Sequence, residues 1–131
     1  MKADKFKFHR LKENTVIAEL ISDEFIINDT QDALDLMAES GSYGCRSLII
    51  SAENLNERFF DLKTGIAGDI LQKFSNYRVR LAIIGDFTPY KSKSLQDFIC
   101  ECNRGNLIFF CDDINTALKK FEGSNKIIKQ K

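Results

Sequence analysis

The sequence is poor in the residues on which metal sites and duplex-binding surfaces depend. It contains one histidine, no tryptophan, one proline and a formal net charge of +0, from 19 basic and 19 acidic residues. One histidine is too few for a zinc constellation, and duplex nucleic-acid binders usually carry a basic excess or a clustered basic stretch. We therefore expect no metal and no nucleic-acid partner.

The four cysteines are irregularly spaced, at Cys45, Cys100, Cys102 and Cys111, and form no C-x-x-C pair. This pattern favours reduced thiols acting as small hydrophobic groups over a disulfide framework. The first residues show no apolar region typical of a secretory signal, and no apolar run approaches the roughly 18 residues of a membrane span. We expect a cytoplasmic protein without membrane insertion.

Strand and helix patterns alternate along the chain in the order β-β-α-β-α-β-α-β-α. Short apolar or alternating runs predict strands at 5–9, 16–21, 47–51, 79–85 and 107–110, and amphipathic runs predict helices at 29–41, 61–77, 94–105 and 112–123. Strands separated by helices pair in parallel, whereas the first two form an antiparallel hairpin. The chain is thus predicted to be a single α/β domain over 1–123 with a mixed, mostly parallel sheet. A basic tail, 124–131, is expected to fray.

Capping residues predict where several helices begin and end. Asp29 is expected to cap the first helix, Ser94 the third, and Asp112 or Asp113 the last, which Gly123 is expected to end.

The second helix has the clearest period in the chain. Its apolar residues recur every four positions, at Leu62, Ile66, Ile70 and Phe74. Asp61 is predicted to cap it. Gly65 and Gly68 each lower helix propensity by about 1 kcal/mol, so we expect another group to approach closely there, a packed strand more than a ligand.

The functional surface is predicted where this helix opens. Because the carboxyl ends of parallel strands meet at one sheet edge, the segment 61–68 and the next loop, 86–91, are expected to lie side by side. Free N–H groups at a helix start attract anions. The predicted ligand-binding or partner-binding residues are Asp61, Lys63, Thr64, Gly65, Gly68, Asp86, Phe87, Tyr90 and Lys91. Asn54 and Asn56 from the preceding loop could join them.

Most of these residues also have a purely structural interpretation. Asp61 with Lys63 could form an acid/base pair, or a cap beside a solvated lysine. Asp86 could hold a ligand or close a turn. The aromatic residues of these loops could form a partner surface or plug the core; they are Phe59, Phe60, Phe87 and Tyr90.

No catalytic constellation can be assembled from the chain. The sequence has no Ser/His/Asp or Cys/His set, no G-x-G-x-x-G segment and no P-loop. We therefore predict no catalytic residues and no cofactor. The alternative is a small cytoplasmic enzyme, or a ligand-binding protein, that uses a polar pocket around Asp61 and Asp86.

The element order and the segment 60–68 resemble the STAS domain, named for sulfate transporters and anti-sigma-factor antagonists. Many STAS domains open the helix after the third strand with Asp-Ser-Ser/Thr-Gly-Leu-Gly, and the segment 60–68 looks like that pattern with one extra residue. Asp61 matches the aspartate, Thr64 the phosphorylatable hydroxyl and Gly65 the glycine, while Lys63 stands where a second hydroxyl is expected. The resemblance implies a non-catalytic switch. A kinase would phosphorylate Thr64, and the added charge would block partner binding.

The chain as a whole resembles a bacterial family known only as a domain of unknown function. The shared stretches are 27–29, 32–37, 59–74, 84–87, 94–95 and 97–98, and the resemblance to the family extends over nearly the full length. The resulting hypothesis is a STAS-like regulatory or binding module. Its partner would be a protein, such as a kinase or regulator, or a small anionic ligand.

Overall fold

The computed structural model describes residues 5–22, 24 and 26–129. One five-stranded sheet runs in chain order, from β1 to β5. β1 and β2 are antiparallel and the remaining neighbours are parallel, which confirms the predicted mixed sheet. The strands are β1 (Phe6–Arg10), β2 (Val16–Leu20), β3 (Ser47–Ser51), β4 (Arg80–Ile84) and β5 (Ile108–Cys111).

Four α-helices accompany the sheet. They are α1 (Thr30–Gly41), α2 (Ile66–Asn76), α3 (Lys93–Asn103) and α4 (Ile114–Lys129). The prediction that Gly123 ends the last helix is wrong, because α4 continues through it to Lys129. One glycine lowers helix stability by only about 1 kcal/mol, which does not end a helix by itself. Residues 124–129 continue α4, residues 130–131 lie outside the described range, and the fraying expected of the tail stays a prediction.

The helices divide unequally between the two faces of the sheet. The strand order advances one place at each parallel crossover, and right-handed crossovers of that kind all pass on the same side. Accordingly, one core contains residues of α1, α2 and α3, such as Leu36, Ile70 and Leu95. The other core contains Ala117 and Phe121 of α4 against the opposite side of β2 to β5.

Two of the predicted helix caps are correct. Asp29 accepts a hydrogen bond from the Asp32 N–H at 2.9 Å, and Asp113 accepts one from the Thr116 N–H at 2.8 Å. The third prediction is wrong. Ser92, and not Ser94, caps α3 by accepting from the Leu95 N–H, because the helix begins at Lys93 and includes Ser94 in its first turn.

The loops at the two ends of the parallel strands differ in charge. The acidic edge comprises the loops after β2, β3, β4 and β5. Its described charged residues are Glu24, Asp29, Glu53, Glu57, Asp61, Asp86, Asp112 and Asp113, against Arg58, Lys63 and Lys91. The basic edge comprises the loops before the same strands, whose described charged side chains are Lys12, Arg46, Arg78 and Arg104. A net charge of zero therefore conceals a protein with two oppositely charged ends.

Candidate functional site

The loop after β3 does not lead directly into α2. Three short 3₁₀ segments intervene, at Ala52–Asn54, Glu57–Phe60 and Leu62–Thr64. Asp61 caps the last of these by accepting from the Lys63 N–H at 3.3 Å. Gly65, with φ of +78°, then turns the chain into α2, which starts at Ile66. The prediction that Asp61 caps α2 is therefore wrong.

The two glycines of this segment do not mark a close approach. A Cβ atom placed on Gly65 or Gly68 would meet no neighbouring atom within 4 Å, so the predicted strand or ligand packing against them is wrong. Gly65 is explained instead by its left-handed backbone, which glycine adopts without the clash of a side chain. Gly68 is exposed, and nothing in the structure requires a glycine there.

The Thr64 hydroxyl connects the 3₁₀ segments to the start of α2. It lies within donor distance of the Arg58 carbonyl oxygen, at 2.9 Å, and of the Asp61 carbonyl oxygen, at 2.8 Å. It also accepts from the Ile66 N–H at 3.2 Å. Thr64 is an exposed residue, so this hydroxyl is a structural contact at a solvent-accessible position.

The second predicted loop is organised by Asp86. Its carboxylate accepts hydrogen bonds from the Thr88 hydroxyl at 2.7 Å and from the Thr88 N–H at 3.1 Å. These two bonds, the hydroxyl first, lower the pKa of Asp86 below its ordinary value. Asp86 is therefore ionised at neutral pH, and its carboxylate stabilises the turn that contains it. The Asp61 carboxylate likewise caps the 3₁₀ segment that follows it.

An aromatic stack joins the two loops. The rings of Phe60 and Tyr90 are stacked with centroids 4.9 Å apart, and Phe87 lies 6.1 Å from Phe60. The side chain of Gln96 in α3 donates to the carbonyl oxygens of Phe87 and Tyr90, both at 2.8 Å, and ties this loop to the helix. These contacts join the loop 86–91 to Phe60, directly before the segment 61–68, and the predicted contact of that segment itself stays a prediction.

Of the four aromatic residues described at this edge, one presents its ring to solvent. Phe59, Phe60 and Phe87 are buried, whereas Tyr90 is 37% exposed. Phe87, predicted as a partner-binding residue, therefore supports the surface from beneath. Lys63 and Lys91 are exposed, and no carboxylate of the described residues lies within salt-bridge distance of either ammonium group.

Asn54 and Asn56, the other polar candidates, hold neighbouring loops together. Asn54 is only 2% exposed, and its amide accepts from the Ser51 N–H and donates to the Ser22 carbonyl oxygen, both at 2.9 Å. Asn56 donates to the side chain of Asn28 at 2.8 Å. Asn54 is therefore a structural residue of the loop and not a ligand-binding one.

The sequence interpretation missed two clefts that lie away from this surface. One, of about 520 Å³, lies at the basic edge and is lined by residues of four separate loops, among them Asn14, Arg46, Arg78 and Asn106. The other, of about 480 Å³, lies between α4 and the α3–β5 connection. No short motif could have indicated the first cleft, because its lining residues are far apart along the chain.

The reactivity of the thiols follows from their burial. Burial raises the pKa of Cys102 and of Cys111 to about 11, whereas Cys100 is exposed. At pH 8 a thiol of pKa 11 is about one part in a thousand thiolate, the reactive form. We expect a disulfide reagent to modify one thiol of the native protein rapidly, with the C100S variant lacking that phase. A rapid phase of two or more equivalents would contradict the placement of these cysteines.

The described residues contain neither of two features that would indicate a particular class of function. Among them, no group of three or more His, Cys, Asp or Glu side chains is arranged to hold a metal ion. Within the same residues, no helix combines the length and apolar character needed to cross a bilayer.

Comparison with models of protein families identifies a family for the chain. A family model described as "Domain of unknown function (DUF4180)" matches residues 12–121. This confirms the predicted resemblance to a domain family of unknown function. No curated protein and no solved structure matches the chain.

Proposed function

The chain belongs to the DUF4180 family, and we propose that it is a non-catalytic binding module that takes a protein partner on its acidic edge. The contact would centre on the Tyr90 surface, which we define as Lys63, Thr64, Tyr90 and Lys91. The observation that carries the proposal is the stacking of Phe60 on Tyr90, which holds two loops together beneath an exposed tyrosine. A tyrosine fixed in this way suits an interface, since it gives a large contact area at little entropic cost.

The engagement of both carboxylates favours binding over turnover. Asp61 and Asp86 each accept hydrogen bonds from their own loop, and the lowered pKa of Asp86 opposes a role as a general acid. Turnover of a small substrate that vanished in the Asp86→Ala variant would overturn the non-catalytic assignment.

Charge favours a protein partner over a small anion. The start of α2 and the ammonium groups of Lys63 and Lys91 would attract an anion. The acids of this edge outnumber its bases, however, so the wider field favours a partner that brings basic side chains. We therefore assign the partner to a protein with a basic contact surface.

Thr64 is positioned to act as the switch that the STAS resemblance implies. Its hydroxyl is exposed, and phosphorylation would remove the proton that it donates to a carbonyl oxygen of Arg58 or Asp61. The phosphate would also add a charge of about −1.5 to −2 to the Tyr90 surface. A partner with basic groups would be attracted more strongly to this surface, so a kinase acting on Thr64 would promote binding, whereas in the STAS switch the added charge blocks it.

The first test asks whether Tyr90 anchors a partner. We expect Tyr90→Ala to lower retention of a specific partner at least tenfold when tagged protein is incubated with lysate from the producing cells and quantified by mass spectrometry. Tyr77→Ala is the matched control, because Tyr77 is 58% exposed and lies at the opposite end of α2. If every retained protein is retained equally by both variants, the Tyr90 surface is not the interface.

The second test separates charge at Thr64 from loss of the hydroxyl. We expect Thr64→Glu to strengthen binding of that partner at least tenfold, because the added carboxylate attracts the partner's basic side chains. The free energy of unfolding should change by less than about 1 kcal/mol, because a helix start tolerates negative charge. Thr64→Val also loses the hydroxyl but adds no charge, so it should retain the partner. Equal binding by the glutamate variant and the wild type would rule out a charge switch.

A further inference from the structure

The cleft at the basic edge gathers three arginines from neighbouring strand starts. Arg46, Arg78 and Arg80 line it together with the amide side chains of Asn14 and Asn106. No carboxylate of the described residues lies within 4 Å of any of these guanidinium groups. Its volume of about 520 Å³ falls within the range of small-molecule sites.

Arg80 is already held in place within the cleft. It donates through Nε to the Ser47 hydroxyl and through Nη1 to the Phe121 carbonyl oxygen, both at 3.0 Å, and lies over the Phe121 ring at 5.0 Å. A guanidinium group has five N–H donors, so these bonds leave further donors for a ligand. Because these contacts already immobilise the Arg80 side chain, it would lose little conformational entropy when a ligand binds.

The strongest indication comes from two helix exits that line the cleft. At the end of α1, the Gly44 N–H bonds to the Gly41 carbonyl oxygen and the Cys45 N–H to that of Ser40. At the end of α2, the Arg78 N–H bonds in the same pattern to Ser75, and the Val79 N–H to Phe74. Both are Schellman motifs, whose left-handed position usually carries glycine.

The two motifs differ in the residue at that left-handed position. Gly44 has φ of +81° and occupies it without strain, whereas Arg78 has φ of +55°. An L residue there is strained by the contact of its Cβ with the backbone. Glycine at position 78 would relieve this strain and stabilise the fold. We therefore attribute the presence of arginine to a role of its side chain. Strained residues of this kind cluster at functional sites.

We propose that this cleft is a second binding site, distinct from the Tyr90 surface, and that it takes a small molecule bearing a phosphate group. Guanidinium groups pair with the oxygens of a phosphate through paired, charge-assisted hydrogen bonds, and three of them suit a dianion better than a single carboxylate. The two asparagine amides offer neutral contacts for the rest of the molecule. The proposal does not depend on the partner assigned to the acidic edge.

The test measures thermal stability and calorimetric binding of the full chain with two probes, inorganic phosphate and 5′-AMP, at constant ionic strength set with sodium chloride. We expect both probes to raise the Tm of the wild type in a saturable manner. Arg78→Gly should raise the Tm of the unliganded protein, since it relieves the strained backbone, and should weaken binding of both probes at least tenfold. A merely structural arginine would not produce this opposite response of stability and affinity.

Lys93→Gln is the matched control, because it removes one positive charge at the exposed start of α3, outside the cleft, and should leave probe affinity unchanged. The proposal is overturned if neither probe stabilises the wild type more than sodium chloride does, or if Arg78→Gly binds as tightly as the wild type. It is also overturned if Lys93→Gln weakens binding equally, which would indicate a general charge effect. Binding of single-stranded RNA without any binding of the probes would assign the cleft to nucleic acid instead.

Discussion

Replacing Phe59 with alanine should lower the free energy of unfolding by about 3–5 kcal/mol, the range measured for large aromatic residues removed from a core. Phe59 is 0% exposed, and its ring makes an edge contact with Phe60 at 5.1 Å between centroids. Since a domain of this size is stable by only about 5–15 kcal/mol, the loss is a large fraction of the total. Urea unfolding followed by circular dichroism would measure it.

Phe59→Leu is the control for this change. Leucine keeps most of the buried apolar volume, so we expect its destabilisation to be less than half that of alanine. The comparison also bears on function, because Phe60 meets Phe59 edge-on and stacks on the exposed Tyr90. If Phe59→Ala costs under 1 kcal/mol, the loop 52–65 is not anchored by this ring, and the Tyr90 surface has no rigid support.

The fold was predictable where apolar periodicity determines the structure. Leu48, Ile49 and Ile50 form a continuous apolar run, and all three are buried in the centre of the sheet. The four-residue spacing of Ile66, Ile70 and Phe74 likewise gave the helix that packs on it. Burial of apolar surface stabilises both the strand and the helix, and the apolar pattern of each short segment indicates that burial directly.

The start of α2 was not predictable in the same way. Leu62 continues the apolar spacing of the helix by one turn, but the backbone at Gly65 is left-handed and the helix begins only at Ile66. A pattern of side chains does not report the sign of φ at a glycine. The Thr64 hydroxyl was predicted to lie in the first turn of α2. In the structure it instead connects the 3₁₀ segments to the start of that helix.

The basic cleft escaped prediction because its parts meet only in the folded sheet. Arg46 precedes β3 and Arg80 begins the adjacent strand β4, so both line the cleft. Because they are far apart along the chain, the sequence does not show that their positive charges lie together. The formal net charge of zero gave no sign of this basic cluster either, because acidic residues at the opposite edge offset its charge. Edge-by-edge charge becomes visible only when strand order and direction are known.

Asn54 illustrates the remaining error, in which a polar loop residue was considered for the functional surface although it supports the fold. Replacing it with alanine should lower the free energy of unfolding by about 2–4 kcal/mol, because the Ser51 N–H and the Ser22 carbonyl oxygen would both lose their partner. Asn56→Ala is the control, since Asn56 is less buried and should cost under about 1 kcal/mol. Equal effects would contradict the structural assignment of Asn54.

The Asn54→Asp variant should reveal the same contacts through pH. Aspartate retains an oxygen for the Ser51 N–H but, when ionised, places a charge beside the Ser22 carbonyl oxygen at a position only 2% exposed. Burial and this repulsion favour the protonated form, so the folded-state pKa should rise above its unfolded value of about 3.9. The variant's loss of stability relative to the wild type should therefore be largest at pH 7 and diminish toward pH 4, because the protonated acid can donate to the carbonyl oxygen. Urea unfolding of both proteins at each pH would measure it. A deficit that stays constant across this range would mean that residue 54 remains in contact with water and does not join the loops.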